Sequence, residues 1–239
     1  MSPEQKLLVP EIFDTFEDDK PQDECGVYGV YAPGEPVARL TYDALHELQH
    51  RGQSGAGIAV FDTQLNGMMV RRGTGPVDIA IPEAIPRPDG RSTIDIINPS
   101  VVAIGHTRYS TNGDPAAAQP FFGETTTVAL GQNGHIEDIH EVAERFGVDI
   151  ITSASDTAAL IRIIDQRSQE LSSLDAALDE VLSELEGAYC LTITDGQRLF
   201  GVRDPWGFHP LSLGRLPDNK GYVLASESVA FTRDRKSVG

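Results

Sequence analysis

The pattern of apolar and polar positions along the chain predicts strands on either side of a helical middle. Apolar residues that recur every three or four positions predict helices at 37–48, 136–146, 156–167 and 174–185. Runs rich in apolar and β-branched residues predict strands at 26–31, 56–61, 67–72, 101–106, 126–131, 188–194, 198–204, 210–214 and 221–226. Helices are missing where parallel crossovers would need them. We therefore expect an α+β fold with mainly antiparallel sheets.

The segments between these elements carry turn and loop signals. Asn66-Gly67 predicts a tight hairpin, and Ser172 opens a capping-box pattern at the last helix. Residues 73–100 contain several prolines and predict a loop with at most a short helix. Residues 107–124 predict a second, polar loop that contains glycine and proline.

Composition and charge narrow the class of protein. The chain has 239 residues, enough for one domain or slightly more. Its net charge of −17 argues against nucleic acid and anionic membranes as partners, because phosphate binding depends on Lys and Arg. No stretch approaches the roughly 20 apolar residues that cross a bilayer, and the order of a secretory signal is missing. With two cysteines a disulfide framework is excluded, and we expect a soluble protein of the reducing cytoplasm.

Cys25 lies at a boundary in the sequence. Residues 1–24 are acidic, lack hydrophobic periodicity and predict a disordered leader. If this leader is removed as a propeptide, Cys25 carries a thiol and a free α-amine, and the amine can act as base for its own thiol. The alternative is structural, since a lone cysteine at the head of a strand is commonly a small buried residue. Cys190, in the middle of a predicted strand, has the same structural interpretation.

Two arginines lie near the ends of predicted elements. Arg108 ends the run His106-Thr107-Arg108 after a strand, and its guanidinium suits bidentate capture of a carboxylate. A surface charge is an equal alternative for Arg108. Arg51 follows a predicted helix, where a cation also interacts favourably with the helix dipole.

Two further polar motifs each have a structural and a functional interpretation. Asn133-Gly134 after a predicted strand is typical of a turn. The functional alternative is an oxyanion hole built from the Asn133 amide and the Gly134 N–H, with glycine allowing close approach of a substrate. Asp156 opens a predicted helix, where it either belongs to an ordinary N-terminal cap or receives an ammonium group.

Taken in order, these motifs resemble one enzyme family. The segments are ECGVYGVYAPGEPVARLTYDALHELQHRGQSGAGIAV (24–60), GHTRYSTNG (105–113), QNG (132–134), SDT (155–157) and GVRDPWGFHPLSLG (201–214). They resemble the glutaminase domain of amidophosphoribosyltransferases over about residues 22–228. LQHRGQ and RDPWGFHPL favour this family over the related glucosamine-6-phosphate synthases.

The resemblance implies a fold and a reaction. The fold is a four-layer αββα sandwich of two mainly antiparallel sheets, of the N-terminal nucleophile hydrolase type. The reaction is hydrolysis of L-glutamine to glutamate and ammonia, with Cys25 as nucleophile after removal of residues 1–24. Asn133 and Gly134 would stabilise the tetrahedral oxyanion.

The resemblance also implies how glutamine is held. Arg108 would bind the α-carboxylate of glutamine, and Asp156 would bind its α-ammonium. The pocket would be completed by Arg51, His106 and Thr107.

The ammonia would pass to a phosphoribosyltransferase domain or subunit that makes 5-phosphoribosylamine in the first step of purine biosynthesis. Residues 25–228 are expected to form the glutamine amidotransferase domain and residues 229–239 a divergent tail, with the transferase half absent. No metal or cofactor is expected in this chain; Mg²⁺ and an iron–sulfur cluster would belong to the missing half. The full-length family implies a homo-oligomer.

One motif departs from the family. Where the family usually has His-Asn-Gly-Asn, this chain has Gln132-Asn133-Gly134-His135. The altered flanks leave open a non-catalytic glutamine-binding or regulatory paralogue. A glutaminase that serves another acceptor enzyme is a third interpretation.

Overall fold

The structure is a computed structural model that describes residues 25–63, 66–82, 100–109, 117–150 and 155–231. The predicted leader at 1–24, residues 83–99 of the predicted loop at 73–100, and most of the predicted tail lie outside these residues. Ten strands are described, β1 to β10: Gly26–Tyr31, Gly55–Asp62, Gly67–Thr74, Val102–Arg108, Phe121–Phe122, Ala129–Glu137, Glu186–Thr194, Leu199–Arg203, Ser212–Arg215 and Tyr222–Ala225. Five α-helices are described, α1 to α5: Val37–Glu47, Val77–Ala80, Ile139–Arg145, Asp156–Leu171 and Leu174–Leu182.

The strands form two antiparallel sheets that pack face to face. The first sheet has the order β3-β2-β4-β1-β10-β9, and the second has the order β5-β6-β7-β8. Strands β1 and β4 of the first sheet pack against β6 and β7 of the second. Helices α1 and α2 cover the outer face of the first sheet, and α4 contacts β6 and α5 on the outer side of the second. The expected four-layer αββα sandwich is confirmed.

Each layer of the sandwich has its own apolar packing. A cluster around Leu45 and Leu48 joins α1 to the first sheet. A second cluster, around Leu160 and Ile164, joins α4 to the second sheet. The layer between the sheets is built from small residues around Ile104. Alternation along a strand then places neighbouring residues of β6 on opposite faces, one toward the helices and one toward the first sheet.

Helix α1 brings the first part of the site into position. It buries one apolar face against the first sheet, as its periodicity predicts. The chain then continues through a 3₁₀ turn, Gln49–Arg51, and leaves it at Gly52. A Cβ at Gly52 would lie 2.3 Å from the backbone carbonyl carbon of Arg108, so glycine permits this turn to pack on the end of β4.

Strand β6 is the main correction to the sequence interpretation. The prediction ended this strand at Gly131 and began a helix at Ile136, whereas β6 runs from Ala129 to Glu137 and α3 begins at Ile139. Asn133-Gly134 is therefore part of a strand and not a turn after it. Strand β7 pairs with every residue of β6, and this long-range pairing outweighs the local turn preference of Asn-Gly.

Three smaller differences concern helix ends and one strand. Ser172 does not cap α5; it is the left-handed residue that ends α4, and Ser173 caps α5 by accepting from the Ala176 N–H at 3.2 Å. Helix α5 ends at Leu182 because the chain enters β7 at Glu186. The short strand β5 lies inside the segment predicted as a polar loop. Within the described residues, none of the helices is both long and apolar enough to span a membrane.

Candidate active site

Cys25 is the first described residue and leads directly into β1 in the middle of the first sheet. Its thiol donates to the backbone oxygen of Tyr109, with Sγ and O 3.6 Å apart. Burial raises the pKa of this thiol, and the positive charges of Arg108 and Arg51 partly oppose the rise. The thiol is therefore mostly protonated at neutral pH, so a nucleophilic role needs a nearby base.

Arg51 connects Cys25 with Glu227, which is distant from it in the sequence. Its Nε donates to the backbone oxygen of Cys25 at 3.2 Å, and its Nη1 lies 2.6 Å from Oε1 of Glu227. The second oxygen of Glu227 lies 3.0 Å from Nε2 of His50. Burial would raise the pKa of Glu227, but the neighbouring Arg51 and His50 outweigh it and lower this pKa. Arg51 therefore fixes the backbone of Cys25 instead of merely ending a helix.

Thr107 and Gly26 pack closely beside Cys25. Thr107 is fully buried, and its hydroxyl donates to the backbone oxygen of Leu48 at 3.4 Å. A Cβ at Gly26 would lie 2.7 Å from that hydroxyl oxygen, so a larger residue after Cys25 would displace Thr107. Arg108 is the last residue of β4, and its backbone oxygen accepts from the Ser54 N–H at 2.9 Å.

His106 connects the two sheets next to this cluster. It is fully buried on β4, and its Nε2 lies 2.9 Å from the backbone oxygen of Gln132 on β6. Because a carbonyl oxygen only accepts, this nitrogen carries the proton and Nδ1 does not. Burial is the largest cause that lowers the pKa of His106 to about 4; the charge of Arg108 contributes in the same direction, and the hydrogen bond to Gln132 opposes it. His106 is thus a neutral bridge between the sheets at physiological pH.

Asn133 presents an unpaired donor inside the protein. Its side chain is 1% exposed, and its Nδ2 has no hydrogen-bond partner within the part of the chain that the structure describes. Ala129, on the same face of β6, packs between the two sheets. Asn133 therefore faces the sheet that carries Cys25, and β1 packs against β6.

Gly134 occupies a position that only glycine tolerates. Its φ is +109°, and a Cβ there would lie 2.1 Å from the backbone oxygen of Ala188. Its ladder partner Tyr189 directs both its N–H and its carbonyl toward Asp204. By the alternation of antiparallel pairs, the Gly134 N–H then lies outside the β6–β7 ladder.

Asp156 lies at the start of α4 and accepts several hydrogen bonds. Ser155 supplies the N-terminal cap, and its hydroxyl accepts from the Ala158 N–H at 3.2 Å. Oδ2 of Asp156 accepts from the Ile136 N–H at 3.0 Å and from Nε2 of Gln132 at 2.8 Å. The structure thus joins α4 to β6 through this carboxylate.

The contacts place the candidate residues in two connected groups. The first group, on the first sheet and the adjoining 3₁₀ turn, consists of Cys25, Arg51, Thr107 and Arg108. The second group, on β6 and α4, consists of Asn133, Gly134 and Asp156. His106 joins the groups across the sheets. Among the residues that the structure describes, no cluster of three or more His, Cys, Asp or Glu side chains is arranged to hold a metal ion.

Sequence reasoning missed two residues of this arrangement. Glu227, the partner of Arg51, lies 176 positions away along the chain, and no local pattern connects the two. The side chain of Gln132 was noted as a departure from the family but given no role. Its buried position on a strand was hidden by the expectation of a turn.

Comparison with known proteins is consistent with this geometry. The family model described as "Glutamine amidotransferase domain" matches residues 106–233. The amidophosphoribosyltransferase of Mycobacterium bovis is 40% identical over 224 residues, which is 89% of this chain and 40% of that protein. The amidophosphoribosyltransferase of Synechococcus elongatus is 37% identical over 222 residues, with 89% and 43% covered.

A solved structure gives the same result. The glutamine phosphoribosylpyrophosphate amidotransferase from B. subtilis, complexed with ADP and GMP, superimposes with a TM-score of 0.69 and 32% identity. The match covers 87% of this chain and 43% of that one. The chain therefore spans less than half the length of these relatives.

Proposed function

The chain belongs to the family of glutamine amidotransferase domains, and we propose that it hydrolyses glutamine with Cys25 as an N-terminal nucleophile once residues 1–24 are removed. The observation that carries the proposal is the buried, unpaired Nδ2 of Asn133. A buried donor without a partner costs about 1–3 kcal/mol of stability. Such a donor is useful where a negative oxygen forms during a reaction.

The base is the α-amine that removal of the leader exposes on Cys25. Because burial raises the pKa of the thiol, the thiolate must be generated at the moment of attack. The amine accepts the thiol proton while Sγ forms a bond to the amide carbon of glutamine, and the carbonyl electron pair moves to oxygen. The same proton then passes to the departing nitrogen, which leaves as ammonia. Water next attacks the thioester, releases glutamate and restores the thiol.

The donors for the oxyanion come from the second sheet. Nδ2 of Asn133 and the N–H of Gly134 would point at the developing negative oxygen. The left-handed φ of Gly134 and the lack of room for a Cβ hold that backbone in place. Donors that are fixed before the reaction need no reorganisation when the charge appears, which is why they stabilise the transition state more than the ground state.

Glutamine would be recognised through its amino-acid head group. Arg108, at the end of β4 beside Cys25, would bind the α-carboxylate, and Asp156 would bind the α-ammonium. Fixed partners of opposite charge at both groups orient the side-chain amide toward the thiol. Arg51, His106 and Thr107 support this pocket by their contacts to Cys25, Gln132 and Leu48.

The acceptor of the ammonia would be a phosphoribosyltransferase domain or subunit, with 5-phosphoribosylamine as product and purine biosynthesis as the pathway. Two observations support this part of the proposal. The relatives named amidophosphoribosyltransferase match the chain over 89% of its length. The chain covers only 40–43% of those relatives, so a transferase activity would require residues beyond the matched region.

Removal of the leader is the direct test. We would compare the full chain, a form that begins at Cys25, and a form with one additional Met before Cys25. Only the form that begins at Cys25 has a free amine beside its thiol, so only this form is expected to release ammonia and glutamate. The form with the extra Met is the matched control, because its thiol and pocket are unchanged while its Cys25 nitrogen is an amide.

Equal turnover by the three forms would contradict the role of the α-amine. Binding of glutamine without ammonia release by any form would instead support the non-catalytic paralogue. Intact mass of the isolated protein reports separately whether the leader is removed.

A further inference from the structure

We propose that Gln132 is a positioning residue that holds the Asp156 carboxylate in the orientation in which it binds the α-ammonium of glutamine. The inference rests on the proposed function, because it assigns a partner to one of the proposed substrate-binding groups. At this position the family usually has histidine, and the inference explains what the glutamine of this chain does there.

The side chain of Gln132 connects the two halves of the proposed glutamine site. Its Nε2 donates to Oδ2 of Asp156 at 2.8 Å and lies 3.3 Å from the backbone oxygen of Gly134. One amide group therefore contacts both the proposed ammonium site and the strand position that carries the oxyanion N–H.

Gln132 is itself held rigidly. It is 1% exposed, its N–H donates to Oε1 of Gln119 at 2.7 Å, and its backbone oxygen accepts from His106 at 2.9 Å. Gln119 also donates to the hydroxyl of Thr157 at 3.2 Å, in the first turn of α4. Because the backbone of Gln132 is fixed on both sides, its side chain can hold the Asp156 carboxylate in one orientation.

The donors to Asp156 show what Gln132 contributes. Oδ1 accepts from the Thr157 N–H at 2.8 Å, and Oδ2 accepts from the Ile136 N–H at 3.0 Å. Within the described residues, two buried side chains donate to this carboxylate: the Thr157 hydroxyl to Oδ1 at 3.4 Å, and the Gln132 amide to Oδ2 at the shorter distance of 2.8 Å. Nδ1 of His135 also lies 3.3 Å from Oδ2, but that side chain is 75% exposed, so water screens and competes with the contact.

The carbonyl end of the same amide indicates that the Gln132 side chain does not serve the stability of the fold. Oε1 of Gln132 is buried and has no hydrogen-bond partner among the described residues. An unpaired buried carbonyl oxygen is destabilising, and an apolar side chain of similar shape would avoid that cost. The donor on Nε2 is then the reason for an amide at this position.

The test measures recognition of the glutamine head group without requiring turnover. Alkylation of Cys25 by a diazo-ketone analogue of glutamine is compared with alkylation by iodoacetamide, which has no amino-acid head group. The form that begins at Cys25 is used for wild type and every variant, because the proposed function requires removal of residues 1–24, and labelling is quantified on the peptide that contains Cys25. The ratio of the two rates reports how well the site recognises the head group.

We expect Gln132→Met to lower this ratio at least about tenfold, since it removes a hydrogen bond to a charged group, while iodoacetamide labelling stays unchanged. Gln132→His introduces the histidine that the family usually has at this position, and its ring N–H can donate in place of the amide. This variant should therefore keep most of the wild-type ratio of labelling rates. His135→Asn is the matched control, because it alters the exposed neighbour of the same carboxylate, and its ratio should stay within about threefold of wild type. In turnover, Gln132→Met should raise KM for glutamine more than it lowers kcat.

The outcomes separate the two proposals. If wild-type protein shows no preference for the glutamine-shaped reagent, the proposed function fails and this inference fails with it. If wild type shows the preference and Gln132→Met keeps it, only the role of Gln132 is overturned. Should Gln132→Met lose its native circular dichroism, Gln132→Leu decides, because it is apolar, close in size and lacks the N–H donor.

Discussion

His106 should make the stability of this protein depend on pH between about pH 4 and pH 6.5. The imidazole is fully buried, and burial lowers its pKa from 6.5 to about 4. In the unfolded chain the same group is exposed and titrates near its ordinary pKa of about 6.5. Between these two values the unfolded state binds a proton that the folded state does not.

The sign and size of the effect follow from this difference. Because the unfolded state binds more protons between about pH 4 and pH 6.5, the free energy of unfolding rises with pH across that range and falls on acidification. A pKa difference of roughly 2.5 corresponds to about 3 kcal/mol. Between about pH 7 and pH 4.5, His106 alone should therefore remove about 2.5 kcal/mol of stability.

The measurement is urea unfolding, followed by far-ultraviolet circular dichroism, for wild type and His106→Gln at several pH values. Glutamine does not titrate, and its amide N–H can still donate to the Gln132 carbonyl across the sheets. The variant is expected to be less stable at neutral pH but to lose about 2.5 kcal/mol less than wild type on acidification. Parallel pH profiles for the two proteins would refute the argument.

Two further substitutions test other parts of the structure. Asn133→Ala is expected to lower kcat for glutamine hydrolysis by about 10²–10³, or roughly 2.7–4 kcal/mol, because it removes a proposed oxyanion donor; a change confined to KM would place Asn133 in ground-state binding instead. Asp165→Asn should lower the free energy of unfolding by about 2–3 kcal/mol. The buried carboxylate of Asp165 accepts hydrogen bonds from the N–H and hydroxyl groups of Thr125 and Thr126, and the substitution weakens them. Glutaminase activity at low temperature should be retained.

The elements with strong local signals were predictable from the sequence. β1 lies at 26–31 as expected, and α1 ends before Gly52 as its periodicity indicates. The predicted hairpin is present as the antiparallel pair β2 and β3; Gly67 is already paired with Asp62, and Asn66 just before it has a φ of +50°. In each case neighbouring residues carry the information, so no knowledge of the rest of the fold was needed.

Features that depend on distant partners were not predictable in the same way. The residues from Gln132 to Glu137 are mostly polar and suggest a turn followed by a helix, but they pair with β7, whose partner residues lie 49 to 59 positions further along the chain. The link between Arg51 and Glu227 likewise depends on the fold bringing two 3₁₀ turns together. The sequence could indicate the types of residue in the candidate site, while their arrangement required the two sheets.

The separation of the proposed nucleophile and oxyanion donors onto different sheets has a consequence for this site. Cys25 leads into the first sheet and Asn133 belongs to the second, so the distance between them depends on how closely the sheets pack. Small residues set that spacing: a Cβ at Gly29 on β1 would lie 2.7 Å from a methyl carbon of Leu199 on β8. The hydrogen bond from His106 to Gln132 then fixes the sheets at the site itself. Residues of the layer between the sheets should therefore affect catalysis through geometry, although they touch no substrate.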